Sequence, residues 1–237
     1  MTRRLTVTLL GITALTASIA FAQTTPDTKK TTPKTPPATA TDKHPAGEKM
    51  ELPPGMTEAD MQACMEAGTP GPMHAFLNEG VGVWTGKTTM WMTPEAEPEK
   101  SECKSTVTPM MDGRFVKCEM AGEMPGMGPF NGFGIYGYDN VAKTFQSTWI
   151  DNCGTGIMNG KGELSSDKKT MTWVFTYHCP ITKKQTTMRE VERIVSADKR
   201  TMEMHGTDPK SGKEFKMMEI ELTRTSRGAT AAVGTTR

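Results

Sequence analysis

The residues with most chemical potential in this sequence carry sulfur. Methionine occurs 20 times and cysteine five times, at Cys64, Cys103, Cys118, Cys153 and Cys179, against four histidines. Thioethers are soft donors suited to Cu(I), so Met124-Pro125-Gly126-Met127 and Met217-Met218 are where copper would be sought. Only one Met-x-x-Met spacing of that kind is present, and methionine also fills irregular cores. Core filling is the reading carried forward. His178 and His205 fall in strand-like runs and are the candidates for an axial haem ligand, but a single strand histidine is a thin basis for haem. No metal and no cofactor is expected. The cysteine spacings match no C-x-x-C zinc or redox pattern. There is no G-x-S-x-G elbow, H-E-x-x-H pair or phosphate loop, which leaves a pair assembled across strands as the remaining route to catalysis.

The polar candidates come from alternation. Ser147, Trp149 and Asp151 share a face, and Asp151-Asn152 at a strand end offers oxygens to a ligand head group, to a cation or to a turn cap, the last being the preferred reading. Arg189 and Arg193 share one face of their run, Glu190 and Glu192 the other. Whichever pair points inward supplies charge for a ligand or for a buried ion pair, and the periodicity alone does not choose. Trp149, Asp151, Arg189 and Glu219 are the candidate ligand contacts.

These residues are positioned by a chain of 237 residues that divides clearly. Arg3 and Arg4 precede an apolar run from Leu5 to Ala20, which ends in Ala20-Phe21-Ala22, the small-x-small pattern of a cleavable signal peptide over 1–22. The expected destination is the periplasm or the extracellular space. Residues 23–56, rich in Thr, Pro, Lys and Ala, cannot bury enough surface to offset ordering entropy and read as a disordered leader. Residues 57–80 form a helical lead-in, with Thr57 as N-cap, Asp60 three residues on, and Met61, Cys64 and Met65 on one face. A further turn or two is expected over 73–79. Residues 226–237 are small, polar and expected to fray. Lys and Arg total 28 against 27 Asp and Glu, a net +1, so no field attracts nucleic acid or an anionic membrane. The expected partner is a small molecule.

From residue 81 to 225 the pattern is all-β. Strands are expected over 82–92, 102–108, 114–122, 131–138, 144–151, 155–164, 170–178, 186–195, 200–206 and 213–224, separated by turns such as Met111-Asp112-Gly113 and Asp208-Pro209-Lys210-Ser211-Gly212. About ten strands with short connections make a meander, and a long meander closes into a barrel because closure removes the exposed edges. Met171, Trp173, Phe175 and Tyr177 form one face of their strand, and Met218, Ile220 and Leu222 oppose Glu219 and Glu221. In an oxidising compartment the cysteines should pair. Cys103 and Cys118 stand about equally far from the turn near residue 111, which predicts a bridge across that hairpin. Cys153 and Cys179 at strand ends make the second pair, and Cys64 is left over.

Gly82-Val83-Trp84-Thr85-Gly86 opening the first strand, with Arg224 closing the last, is similar to the calycin superfamily of lipocalins and fatty-acid-binding proteins. That resemblance implies that Trp84 packs at the closed end of the barrel with Arg224 across it, a structural closure made by Gly82, Trp84 and Arg224. About residues 70–225 resemble the uncharacterised domain-of-unknown-function family 1579, through Val81–Gly86, Met110–Phe115, Gly134–Asp139, Ser147–Asn152 with Gly154-Thr155-Gly156, Arg189-Glu190-Val191 and Phe215–Ile220. The family brings a fold and no activity. The expectation is an exported, calycin-like barrel that binds a small, partly apolar molecule. The alternatives are an enzyme acting on a small molecule inside the barrel and a structural envelope protein with a filled barrel.

Overall fold

The structure is a computed structural model that describes residues 52–228. The segment expected to be a signal peptide (1–22), nearly all of the expected leader and residues 229–237 lie outside the described residues. Among the described residues no helix is long and apolar enough to cross a membrane.

Two short helices lead in, α1 (Glu58–Gly68) and α2 (Pro72–Asn78). Ten strands follow: β1 (Gly82–Met90), β2 (Glu99–Met110), β3 (Phe115–Met124), β4 (Gly128–Asp139), β5 (Thr144–Asp151), β6 (Met158–Leu164), β7 (Thr170–His178), β8 (Gln185–Ser196), β9 (Lys199–Thr207) and β10 (Glu214–Ser226). Each strand is antiparallel to the next, and β10 returns to pair with β1, so the meander closes as the edge argument requires. The ladder extends β10 to Ser226, one residue into the segment read as tail.

Thr57 caps α1 in a reciprocal capping box with Asp60, which satisfies two of the helix's free N–H groups. The helix buries none of its residues. It is held by its last turn instead: Asn140 Nδ2 donates to the carbonyls of Ala67 (3.1 Å) and Thr69 (2.8 Å), and Arg114 Nε to that of Gly68 (3.1 Å). α2 closes one end of the barrel. Its Met73, Phe76 and Leu77 pack on the aromatic cluster of Phe145, Trp173 and Phe175, and Asn78 Nδ2 donates to Gly113 O at 2.8 Å.

The inner face is the aromatic and thioether one. Met171, Trp173 and Phe175 on β7 and Ile220 and Leu222 on β10 are buried in the core, and Met218 packs against it. The paired registers carry that parity around the wall. Trp173 stands beside Glu190 and Glu190 beside Met204, so the Glu190 and Glu192 face of β8 is inside and the Arg189 and Arg193 face outside. A register shift between Lys216 and Met218 brings both Met217 and Met218 to the cavity wall.

Neither expected disulfide is present; all five cysteines are free. The hairpin between β2 and β3 turns over four residues, Met111 to Arg114, with positive φ at Met111 (49°), Asp112 (57°) and Gly113 (81°). Its centre therefore lies beyond residue 111. The ladder sets Cys103 opposite Gly122 and Cys118 opposite Val107. The two thiols are offset by four residues along the strands, about 13 Å at the usual rise, too far for a bridge. Cys153 and Cys179 follow β5 and β7, with β6 between those strands. Cys153 Sγ rests 3.9 Å from Met124 Sδ, and the Cys179 backbone closes the β7–β8 turn by bonding to Lys183 and Lys184.

Candidate functional site

The barrel has a closed end and an open end. At the closed end Trp84 is 2% exposed and donates its indole N–H to Gly80 O at 2.9 Å. The Arg224 guanidinium lies 4.2 Å from the Trp84 ring centre and that of Arg200 lies 5.1 Å away. Arg224 donates to the carbonyls of Val81, Glu79 and Ala197 and pairs with Asp198. Arg224 thus ties β1 and the chain leading into it to the β8–β9 turn. Gly82 has φ +144°, and a Cβ there would sit 2.4 Å from Ser226 O, so glycine is required where β10 crosses β1. The three residues read as barrel closure, Gly82, Trp84 and Arg224, meet at this end of the barrel.

At the open end the wall encloses a cavity of about 240 Å³ that reaches the rim at Met124 and Pro125. Nine methionines line it, from Met90 to Met218, together with Phe130, Trp149, Phe175 and Ile220. Trp149 is positioned by glycines. Its ring lies against Gly132 on β4, where a Cβ would stand 2.2 Å from the ring, so glycine at that position lets the indole lie flat on the wall. The indole N–H donates to Asp151 Oδ2 at 3.0 Å, and the other Asp151 oxygen accepts from Cys153 N at 2.9 Å. Asp151 thus accepts from the turn that follows it, whereas Asn152 reaches across to β4, accepting from Asn131 N and donating to Pro129 O, and Trp149 and Asp151 also line the cavity.

The other two candidate contacts are elsewhere. Arg189 is on the outer face, in a two-pronged pair with Glu214 (3.1 and 2.9 Å). Glu219 is also outside, held by Lys216. Their alternation was legible; the choice of face was not. His178 is exposed and His205 is on the outer wall, 3.7 Å from Glu203, so neither reaches the interior. Among the described residues no three His, Cys, Asp or Glu side chains gather as a metal set.

The inward partners of those outward residues, Glu190 and Glu192, matter more. Glu192 pairs with Arg200 at 2.6 Å. Glu190 is 5% exposed and lines both the open-end cavity and a smaller space of about 100 Å³ below it. It thus stands at the floor of the larger cavity. Removal from water, and then the Glu192 charge, push its carboxyl up to about 8. Cys118 and Tyr136 share that floor. Burial pushes the Cys118 thiol up to about 11 and holds the Tyr136 phenol well above its ordinary value, with Glu190 adding to both.

This geometry defines the class: a closed, ten-stranded antiparallel meander barrel, plugged at one end and hollow at the other. The profile of a family described as protein of unknown function (DUF1579) matches residues 69–224, and the chain belongs to that family. A comparison with curated proteins returned no match. Among solved structures, similarity extends to Rv2717c from M. tuberculosis (15% identity, 65% of this chain and 98% of that one, TM-score 0.49). It extends also to the S-type phycobiliprotein lyase CPES from Guillardia theta (10% identity, 70% and 98%, TM-score 0.48). At these levels neither likeness bears on activity.

Proposed function

We propose that this is an exported binding protein whose barrel takes a small, partly apolar molecule at its open end. The observation that carries the reading is the cavity itself. An apolar void of ~150 Å³ suffices to bind benzene, and this one measures about 240 Å³ with a mostly apolar wall led by thioether and aromatic side chains. Methionine walls adapt to the shape of an occupant, and a few inward polar groups orient it. A filled structural barrel would have no such space. Burial keeps Cys118 and Tyr136 protonated, which supports binding over nucleophilic chemistry.

Native mass spectrometry of protein purified from its own cell envelope tests the reading. The expected result is a mass above that of the mature chain, lost on unfolding. A bare-chain mass, together with no uptake of an added apolar probe such as n-hexanol, would remove the proposal.

A further inference from the structure

Glu190 is a buried carboxyl of the barrel interior that makes no hydrogen bond or ion pair with the described residues and opens onto the cavity. Its strand neighbours are Trp173 on β7 and Met204 on β9, neither of which can supply a counter-charge. The interior cations are committed at the closed end: Arg200 to Glu192, and Arg224 to three carbonyls and Asp198. Arg189, Arg193 and Lys216 lie outside, paired with Glu214, Glu203 and Glu219. Asp151, at the rim, already accepts from Trp149 and Cys153. A carboxyl this buried is ordinarily hydrogen-bonded or paired, and here it opens onto a cavity.

Resting on the binding reading above, we propose that the open-end cavity takes a small apolar amine, its hydrocarbon body against the thioether and aromatic wall and its ammonium on the Glu190 carboxylate. An ammonium supplies both the charge and the donors that Glu190 lacks. Tyr136, Trp149 and Phe175 line the same space, and aromatic faces favour an ammonium over an anion. A fatty carboxylate would meet Glu190 without a free cation. Calcium or magnesium needs about six oxygen donors, where this floor offers a single free carboxyl.

The protons balance. In the free protein the Glu190 carboxyl holds its proton, because burial and the Glu192 charge push it up to about 8. The entering ammonium keeps its own proton, and the Glu190 proton leaves to the buffer, so one proton is released per amine bound. The titratable groups around Glu190 are Glu192 on its own strand, with Arg200 of β9 acting through it, and Cys118 on β3 and Tyr136 on β4 at the floor, while Cys103 of β2, Glu123 of β3 and Asp151 of β5 line the cavity above. Cys118 and Tyr136 stay protonated through neutral pH, which leaves Glu190 as the source of the proton.

Titration calorimetry with n-hexylamine, n-hexanol and hexanoate, at several pH values between about 6 and 8.5 and in buffers of different ionisation enthalpy, tests this. At the top of that range hexylamine should bind at least about tenfold more tightly than hexanol, the effect of one charge-assisted contact. Its affinity should rise about tenfold per pH unit below the Glu190 midpoint and level off above it, with about one proton released per amine well below the midpoint and almost none well above it. Hexanoate should bind more weakly than either. Glu190→Gln should lose the preference for amine and the pH dependence while keeping hexanol binding, which also reports that the variant is folded. Equal affinity for hexylamine and hexanol in the parent protein at the top of that range, or amine binding without proton release below the Glu190 midpoint, overturns the amine assignment and leaves the binding reading intact. Failure of every probe to bind removes both.

Discussion

A carboxyl whose proton is held more tightly in the folded than in the unfolded chain makes stability fall as pH rises. Glu190 is such a group, displaced from an ordinary 4.5 to about 8 by burial first and Glu192 second. Below about pH 4.5 it is neutral in both states and costs nothing electrostatically. Between there and about pH 8 the unfolded chain has released the proton and the folded chain has not, so unfolding gains on folding by up to ~1.4 kcal/mol per pH unit. Urea unfolding of the parent and of Glu190→Gln at pH 5, 6.5 and 8 should therefore diverge, the variant gaining relative stability with each step up in pH. Parallel curves would show that Glu190 is solvated or already paired. His74 acts in the opposite sense, since burial lowers its imidazole below the ordinary value, but it is common to both chains and drops out of the difference.

At the scale of elements, the closed end is where separate pieces of chain are fastened together. Trp84 from β1, Arg224 from β10 and Arg200 from β9 converge there, while α2 packs its Phe76 and Leu77 inward nearby. Trp84→Ala removes the surface on which both guanidinium groups rest and opens a hole in a packed cluster. It should cost about 3–5 kcal/mol, read as a lower urea midpoint, and an unchanged midpoint would mean that the end is closed by α2 alone. The elements themselves were legible in the sequence. Thr57 with Asp60 marked α1, all ten strands were marked by β-rich runs between turn signals, and the G-x-W opening with Arg224 marked the closure. Two things were not legible, for a shared reason. Alternation of period two separates faces without naming them, so Arg189 and Glu219 were chosen as contacts although Trp173 beside Glu190 puts the other face of β8 inside. Hairpin register depends on how many residues the turn consumes. The three consecutive positive φ angles at Met111, Asp112 and Gly113 moved that register far enough to separate Cys103 from Cys118. The signal that would have found Glu190 was its place in the acidic face of β8, opposite the aromatic face of β7.

At the scale of the whole molecule, the proposed export to an oxidising compartment requires five free thiols to be sheltered or harmless. The barrel sorts them. Cys103 and Cys118 face the interior, and burial raises both thiols, Cys118 to about 11, which keeps them out of the reactive thiolate form. Cys64 and Cys153 are exposed, and burial together with Asp151 also raises the Cys153 thiol. Cys179 is the exception: Thr182 and the backbone of the β7–β8 turn hydrogen-bond to it and lower its thiol below the ordinary value. Hydrogen bonds thus favour the thiolate at half-buried Cys179, and burial disfavours it at the two thiols inside. Brief treatment of the native protein with iodoacetamide near pH 7.5, followed by peptide mapping, should label Cys179 first, Cys64 and Cys153 more slowly, and Cys103 and Cys118 only after unfolding. The same digest reads the mature N-terminus, expected at Gln23 or a neighbour if export and cleavage occur. Early labelling of Cys118 would mean that the barrel opens readily, because that thiol is reached only through the cavity or by parting β3 from its neighbours. A Cys103–Cys118 bridge in protein from the oxidising compartment would require the β2–β3 ladder to slip by four residues. Such a slip keeps the faces, since it is even, but it takes Val107 out of register with Cys118 and moves the Met110–Phe115 pair that begins the hairpin. The intact ladder therefore predicts that both interior thiols survive export unpaired.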